Sequence, residues 1–214
     1  MRDRAARVCF ALTALAVLIG LVTQLFVTAN TSGGFFPDTT SRTLNVFAYF
    51  TIQSNIIVGV TCAMLALRLD GGSTAFRVFR LDGLLCITVT FVVFRVALAG
   101  LHDLHGWTAF ADFMLHGLVP VLCVLGWLAF GPHRTLTPAV AAWSTVFPLA
   151  WLAFTLIRGA FLDWYPYPFI DVVANGYGKV SVNCVLIAVF FVALAAGATA
   201  LDRLLSRRSE PSRR

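Results

Sequence analysis

Six long runs of apolar residues, separated by short polar stretches, dominate the chain. They cover approximately 7–29, 43–67, 81–101, 110–130, 138–158 and 180–201. A helix needs about 20 apolar residues to cross the hydrocarbon core of a bilayer, and each run is of that order. The alternating segments of about 10 residues that build a membrane β-barrel are not visible. The pattern predicts an all-α polytopic membrane protein with six transmembrane helices. They form one domain, residues 1–205, followed by a basic tail at 206–214. Arg2, Arg4 and Arg7 precede a first run that continues to Val27, long for a signal-peptide core, so an uncleaved signal anchor is expected.

Composition narrows the function classes. Hydrophobic residues make up 59% of the 214 and charged residues 12%, about half the 25% usual in soluble domains. That argues against a soluble enzyme, a disordered regulator or a nucleic-acid-binding domain. The net charge of +6 comes from residues lying between the apolar runs. With the N-terminus inside, Arg2, Arg4, Arg7, Arg68, Arg77, Arg80, Arg134, Arg203, Arg207, Arg208, Arg213 and Arg214 are cytoplasmic, 12 of the 16 basic residues. Arg42 and Lys179 fall in outer loops, and Arg95 and Arg158 lie within or at the end of spans. The bias predicts a multi-pass protein of the cell membrane with both termini cytoplasmic, its tail touching anionic lipid. Cys9, Cys62, Cys86, Cys123 and Cys184 stand singly in apolar segments with no CxxC pair, which suits small packing residues.

Polar groups inside a membrane span are costly and mark candidate sites. Counted from the run boundaries at 1.5 Å per residue, Thr51 is expected roughly 12 Å and His116 roughly 9 Å below the outer surface. Arg95, Arg158 and Asn183 fall in the same outer slab, whereas the inner half of the bundle holds fewer polar groups. This predicts a pocket open to the outer leaflet better than a continuous ion path. Thr51 and Asn55 are i and i+4 and share a helix face, as do Asp112 and His116. Asp112 can hold the His116 ring in one tautomer, His116 can take a proton from Thr51, and Asn55 can donate to an oxyanion. Each has a plainer role: Thr51 bonded to its own i−4 carbonyl, His116 repairing a kink at Pro120, Arg95 paired with Asp103 or Asp112. The functional role of Arg95 or Arg158 is to recognise a carboxylate or phosphate.

His102-Asp103-Leu104-His105 is a weaker site that matches no specific zinc signature; neither metal nor cofactor is expected. The segment 159–179 carries Trp164, Tyr165, Tyr167 and Tyr177, and its Pro166 and Pro168 forbid a regular helix. It reads as an interfacial or re-entrant flap, either an aromatic belt or a lid over a cavity.

Tyr49-Phe50-Thr51-Ile52-Gln53-Ser54-Asn55, His116-Gly117-Leu118-Val119-Pro120 and Trp164-Tyr165-Pro166-Tyr167-Pro168-Phe169 give the chain a resemblance to the bacterial Pr6Pr family of integral membrane proteins. That family is similar, more distantly, to the androgen-induced and androgen-dependent membrane proteins of animals. The animal relatives imply a membrane hydrolase of fatty acid esters of hydroxy fatty acids, with an intramembrane threonine and histidine. Carried onto this chain, those residues are Thr51 and His116. Three readings follow. An ester hydrolase would draw a long-chain ester from membrane lipid, with Arg95, Arg158, Asn55, Asp112 and Asn183 supporting Thr51 and His116. A non-enzymatic protein would hold a lipid, a fatty acid or a partner helix in the same pocket. A small carrier would need polar residues continuing to the cytoplasmic side.

Overall fold

A computed structural model describes residues 1–68, 72–101, 103–133 and 135–208 of the chain. The described residues are helical and contain no strand, and six helices are long and apolar enough to cross a membrane. In chain order the α-helices are α1 (Arg2–Asn30); a short α2 (Thr39–Asn45), which is not one of the six; α3 (Phe50–Leu67); α4 (Thr74–Val93); α5 (Gly106–Phe113) and α6 (Val119–Phe130), joined end to end; α7 (Pro138–Trp143) and α8 (Val146–Leu162), likewise joined; and α9 (Val172–Arg208).

Local chemistry fixes where these helices stop. Asp38 caps α2 by accepting from the Ser41 N–H at 2.8 Å, and the Ser73 hydroxyl accepts from the Phe76 N–H to start α4. Pro148 has no N–H to give the Ser144 carbonyl, and the helix breaks into α7 and α8 at that point. Asp163 ends α8 with φ 50°, a left-handed conformation that aspartate tolerates better than most residues. Gly176, at φ 72°, puts a kink into α9.

Packing is close where residues are small. A Cβ on Gly59 would lie 2.9 Å from the Val17 side chain, and one on Gly20 would lie 2.8 Å from Leu115. These glycines let α1 approach α3 and the α5–α6 helix, as small residues do in membrane bundles, where apolar burial alone supplies no drive between helices. α4 is the central element, half buried, whereas α9 is 11% buried and presents most of its surface outward.

Several sequence expectations shift. The second run is not one helix from 43: α2 and a 3-10 turn precede Tyr49, whose extended backbone (φ −75°, ψ 135°) breaks the chain before α3. Thr51 therefore sits in the first turn of a spanning helix, not eight residues down it. The third span starts earlier than 81, so Arg80, assigned from sequence to a cytoplasmic loop, is 4% exposed inside the bundle. Asp82 is 2% exposed on the same helix. The half of the bundle expected to hold fewer polar groups therefore contains two buried ionisable side chains. Arg134 and the last six residues of the basic tail lie outside the described residues.

Candidate active site

Two π-helical turns shape the site. One spans Phe94–Leu98 at the end of α4, and the other spans Met114–Leu118 between α5 and α6. The second has an evident cause. Pro120 cannot donate to the His116 carbonyl, so the hydrogen-bond ladder is already broken where the helix widens. Such bulges recur at functional sites. Here they bring the His116 ring flat against Phe94, with centroids 4.2 Å apart and planes 14° from parallel.

His116 Nε2 lies 3.1 Å from the Thr51 hydroxyl oxygen, so the two residues paired from sequence do meet. On the far side of the ring, Nδ1 lies 2.9 Å from Asp112 Oδ1. That contact is within ion-pair distance but off the ring N–H axis, and Nδ1 has no in-line acceptor among the described residues. Asp112 thus acts on the imidazole through charge more than through a straight hydrogen bond.

Tyr167, read from sequence only as a belt or lid residue, is a member of the site. Its hydroxyl accepts from the Thr51 backbone N–H at 3.1 Å and lies 3.2 Å from the Thr51 side-chain oxygen. The first helical N–H groups have no intrahelical acceptor, and Tyr49 at the cap position offers no side-chain bond. Tyr167 therefore caps α3 from 116 residues away. Its ring packs against Tyr49, Trp151 and Phe169, and burial pushes its hydroxyl pKa up to about 12.

One proton order satisfies the three contacts at Thr51. Tyr167 accepts from the Thr51 N–H and donates to the Thr51 oxygen. Thr51 donates to His116 Nε2, leaving the hydrogen of His116 on Nδ1 beside Asp112. Reversing the order, with Nε2–H donating to Thr51 and Thr51 to Tyr167, strands the tyrosine hydrogen without an acceptor at this junction, an expensive arrangement in a buried site.

The supporting residues divide. Asn55, fully buried, does not present its amide to an oxyanion. It donates to the Thr51 carbonyl at 2.8 Å and to the Leu115 carbonyl at 3.2 Å, tying α3 to the π-turn that carries His116. Arg158 donates to Asn45 Oδ1 at 2.8 Å and lies over the rings of Phe36 and Trp164. Asn183 donates to the Phe169 carbonyl at 2.7 Å and so anchors the loop that delivers Tyr167. Arg95 is exposed and stacks on Phe91 and Phe94; among the described residues it has no carboxylate partner, neither Asp103 nor Asp112. His105 is exposed ahead of α5, and His102 lies outside the described residues. Among the described residues no group of three His, Cys, Asp or Glu is placed to hold a metal.

The segment 163–171 folds inward. Tyr165 and Tyr167 are buried, and Tyr165 packs so closely on Gly159 that a Cβ there would fall 2.1 Å from its ring. Of the aromatic residues expected either at an interface or in a lid, Tyr167 reaches Thr51, Tyr165 is buried against Gly159, Trp164 packs on Phe36 and Tyr49, and Tyr177 is exposed. They leave two cavities. An apolar chamber of about 290 Å³ lies between α3, α4, α8 and α9, lined by residues such as Phe50, Val89, Trp151, Ile187 and Phe191. A vestibule of about 420 Å³ carries Gln24, Arg42, Asn45, Asp112 and His116. Thr51, Phe94, Leu98 and Tyr167 line both.

No protein-family model, curated protein or solved structure matches the chain significantly.

Proposed function

We propose that the protein is a membrane hydrolase of lipid esters, a Pr6Pr-type protein with Thr51 as nucleophile and His116 as base. The observation that carries the reading is the 3.1 Å contact between the Thr51 hydroxyl and His116 Nε2, inside the range that general-base chemistry needs. In this mechanism the Thr51 oxygen attacks the ester carbonyl while its proton passes to His116. His116 returns the proton to the departing alcohol, and water then cleaves the acyl-threonine with His116 again as base. The donor that stands beside the reacting oxygen is the Tyr167 hydroxyl. Asp112 favours the imidazolium that forms.

The two cavities support a long-chain ester as the substrate class. An acyl chain fits the apolar chamber, and the more polar part of the ester fits the vestibule, so the carbonyl between them falls at Thr51. The vestibule's Arg42 donates to carbonyl and hydroxyl oxygens, and Arg158 bonds Asn45 on the same wall. Neither guanidinium has a carboxylate within 4 Å among the described residues, which favours an ester carrying an anionic group. With both termini in the cytoplasm, as the arginine distribution favours, the site opens in the outer half of the membrane.

A non-enzymatic lipid-binding protein is the second reading. It draws support from the Thr51 hydroxyl being fully engaged in the resting arrangement. Purified protein incubated with a panel of long-chain esters separates the two. Turnover by wild type, lost in Thr51→Ala and His116→Ala, supports the hydrolase; co-purified lipid with no turnover supports the binder.

A further inference from the structure

At the opposite end of the bundle from Thr51, four helices enclose a charge that the hydrolase reading does not use. Arg80 of α4 is 4% exposed, and the groups that receive its hydrogens are sulfurs. Nη1 donates to Cys62 Sγ of α3 at 3.3 Å and lies 3.8 Å from Cys123 Sγ of α6. The guanidinium stacks over Phe10 of α1 at 5.4 Å. Its Nε and Nη2 are buried with no partner among the described residues. Among the described residues no carboxylate lies within 4 Å of it. Cys62 and Cys123 thus converge from α3 and α6 on the same nitrogen, and the half-buried Cys9 borders the cluster beside Gly126.

A guanidinium does not give up its proton, and an isolated buried cation is strongly disfavoured. The compensating negative charge has to come from the nearest group able to supply it. Here that group is a thiol, and the sulfur closest to the charge is Cys62. A thiolate beside a cation is the reactive form of cysteine. The two unpartnered Arg80 donors are then placed to receive an oxygen arriving at that sulfur. The sequence reading of these cysteines as packing residues misses this, because Arg80 looks like part of a loop when only the apolar runs are counted.

We propose that Cys62 and Cys123 form a hydroperoxide-sensitive dithiol, with Cys62 as the attacking thiolate held by Arg80. The Cys62 sulfur attacks the terminal oxygen of a hydroperoxide. An S–O bond forms, the O–O bond breaks, and the alkoxide leaves through the Arg80 donors and takes a proton from water. Cys123 then attacks the Cys62 sulfenic acid. The S–S bond forms, the S–O bond breaks, and the hydroxyl leaves as water with the Cys123 proton. The dithiol loses two electrons and the peroxide gains them.

The test uses the full chain in nanodiscs treated with cumene hydroperoxide, followed by alkylation and peptide mass spectrometry. A Cys62–Cys123 cross-link is expected, together with a dimedone adduct at Cys62 in Cys123→Ser. Cys86, equally buried but beside Asp82 instead of a cation, stays reduced. Arg80→Met slows cross-linking about ten-fold or more, and Arg80→Lys retains part of the rate. Cross-linking at the wild-type rate in Arg80→Met, or oxidation of Cys86 as fast as of Cys62, overturns the proposal. Infrared spectroscopy of the S–H stretch covers the case in which Arg80→Met does not fold. Cys62→Ser removes no S–H intensity if Cys62 is a thiolate; loss of a full thiol band overturns it.

Discussion

Replacing Tyr167 by phenylalanine removes one oxygen and leaves a ring that still packs against Tyr49, Trp151 and Phe169. Two things are lost together. The Thr51 N–H keeps its buried position in the first turn of α3 and loses the acceptor that Tyr167 gives it. A buried donor left unpaired costs about 1–3 kcal/mol, consistent with the roughly 1 kcal/mol of a lost helix cap. For a chain of this size about 2 kcal/mol lowers the unfolding midpoint by about 4–8 °C. The Thr51 hydroxyl also loses the donor that turns its own hydrogen toward His116 Nε2, so the reacting pair is less well oriented and turnover falls by about 10². Thermal unfolding of the purified variant in detergent reads the first effect, and ester hydrolysis at saturating substrate reads the second. An unchanged midpoint would mean that the Tyr167 hydroxyl does not cap α3. An unchanged rate with a lowered midpoint would mean that it caps the helix and has no part in the chemistry.

Other outcomes follow from the same contacts. The Tyr167 hydroxyl ionises at about 12 in the folded protein against an ordinary 10. Between those values the unfolded chain has lost a proton that the folded one keeps, so stability is full below pH 10 and declines as pH rises toward 12; alkaline unfolding of Tyr167→Phe lacks this component. Asp112→Asn leaves the His116 ring without its charged neighbour and lowers turnover by about 10² with little change in fold, checked by kcat and circular dichroism. Gly159→Ala drives a methyl into the Tyr165 ring and loosens the 163–171 segment, seen as faster proteolysis there. Asn183→Ala removes the 2.7 Å bond to the Phe169 carbonyl; the looser loop raises KM more than it lowers kcat.

Six spans were legible in the sequence because helix crossing depends on run length and hydropathy, which need no tertiary information. Interruptions were less legible. The break at Tyr49 has no proline or glycine to announce it, and it moved Thr51 from an expected mid-helix depth to the start of α3. Arg80 was misplaced for a related reason: a buried arginine at the end of an apolar run is indistinguishable by composition from a loop arginine. The Thr51–His116 pairing was visible as two polar side chains in neighbouring depth slabs, and Asp112 followed from its i, i+4 relation to His116. Tyr167 was not visible in this role. It reaches Thr51 only because Pro166 and Pro168 keep the segment from running on as helix and Gly159 admits Tyr165 beneath it. Asn55 and Asn183 were singled out as members of the site, yet each holds a backbone carbonyl in place instead of facing the cavity. Spacing reveals which residues share a face, and the hydrogen-bond partner a residue takes depends on what the opposite element brings.

The most direct test of the hydrolase account is labelling of the intact protein in membranes with a long-chain fluorophosphonate, with the modified residue located by mass spectrometry. The account expects a covalent adduct on Thr51 that disappears in Thr51→Ala and is strongly slowed in His116→Ala. No adduct at Thr51, or labelling unaffected by the loss of His116, would contradict it.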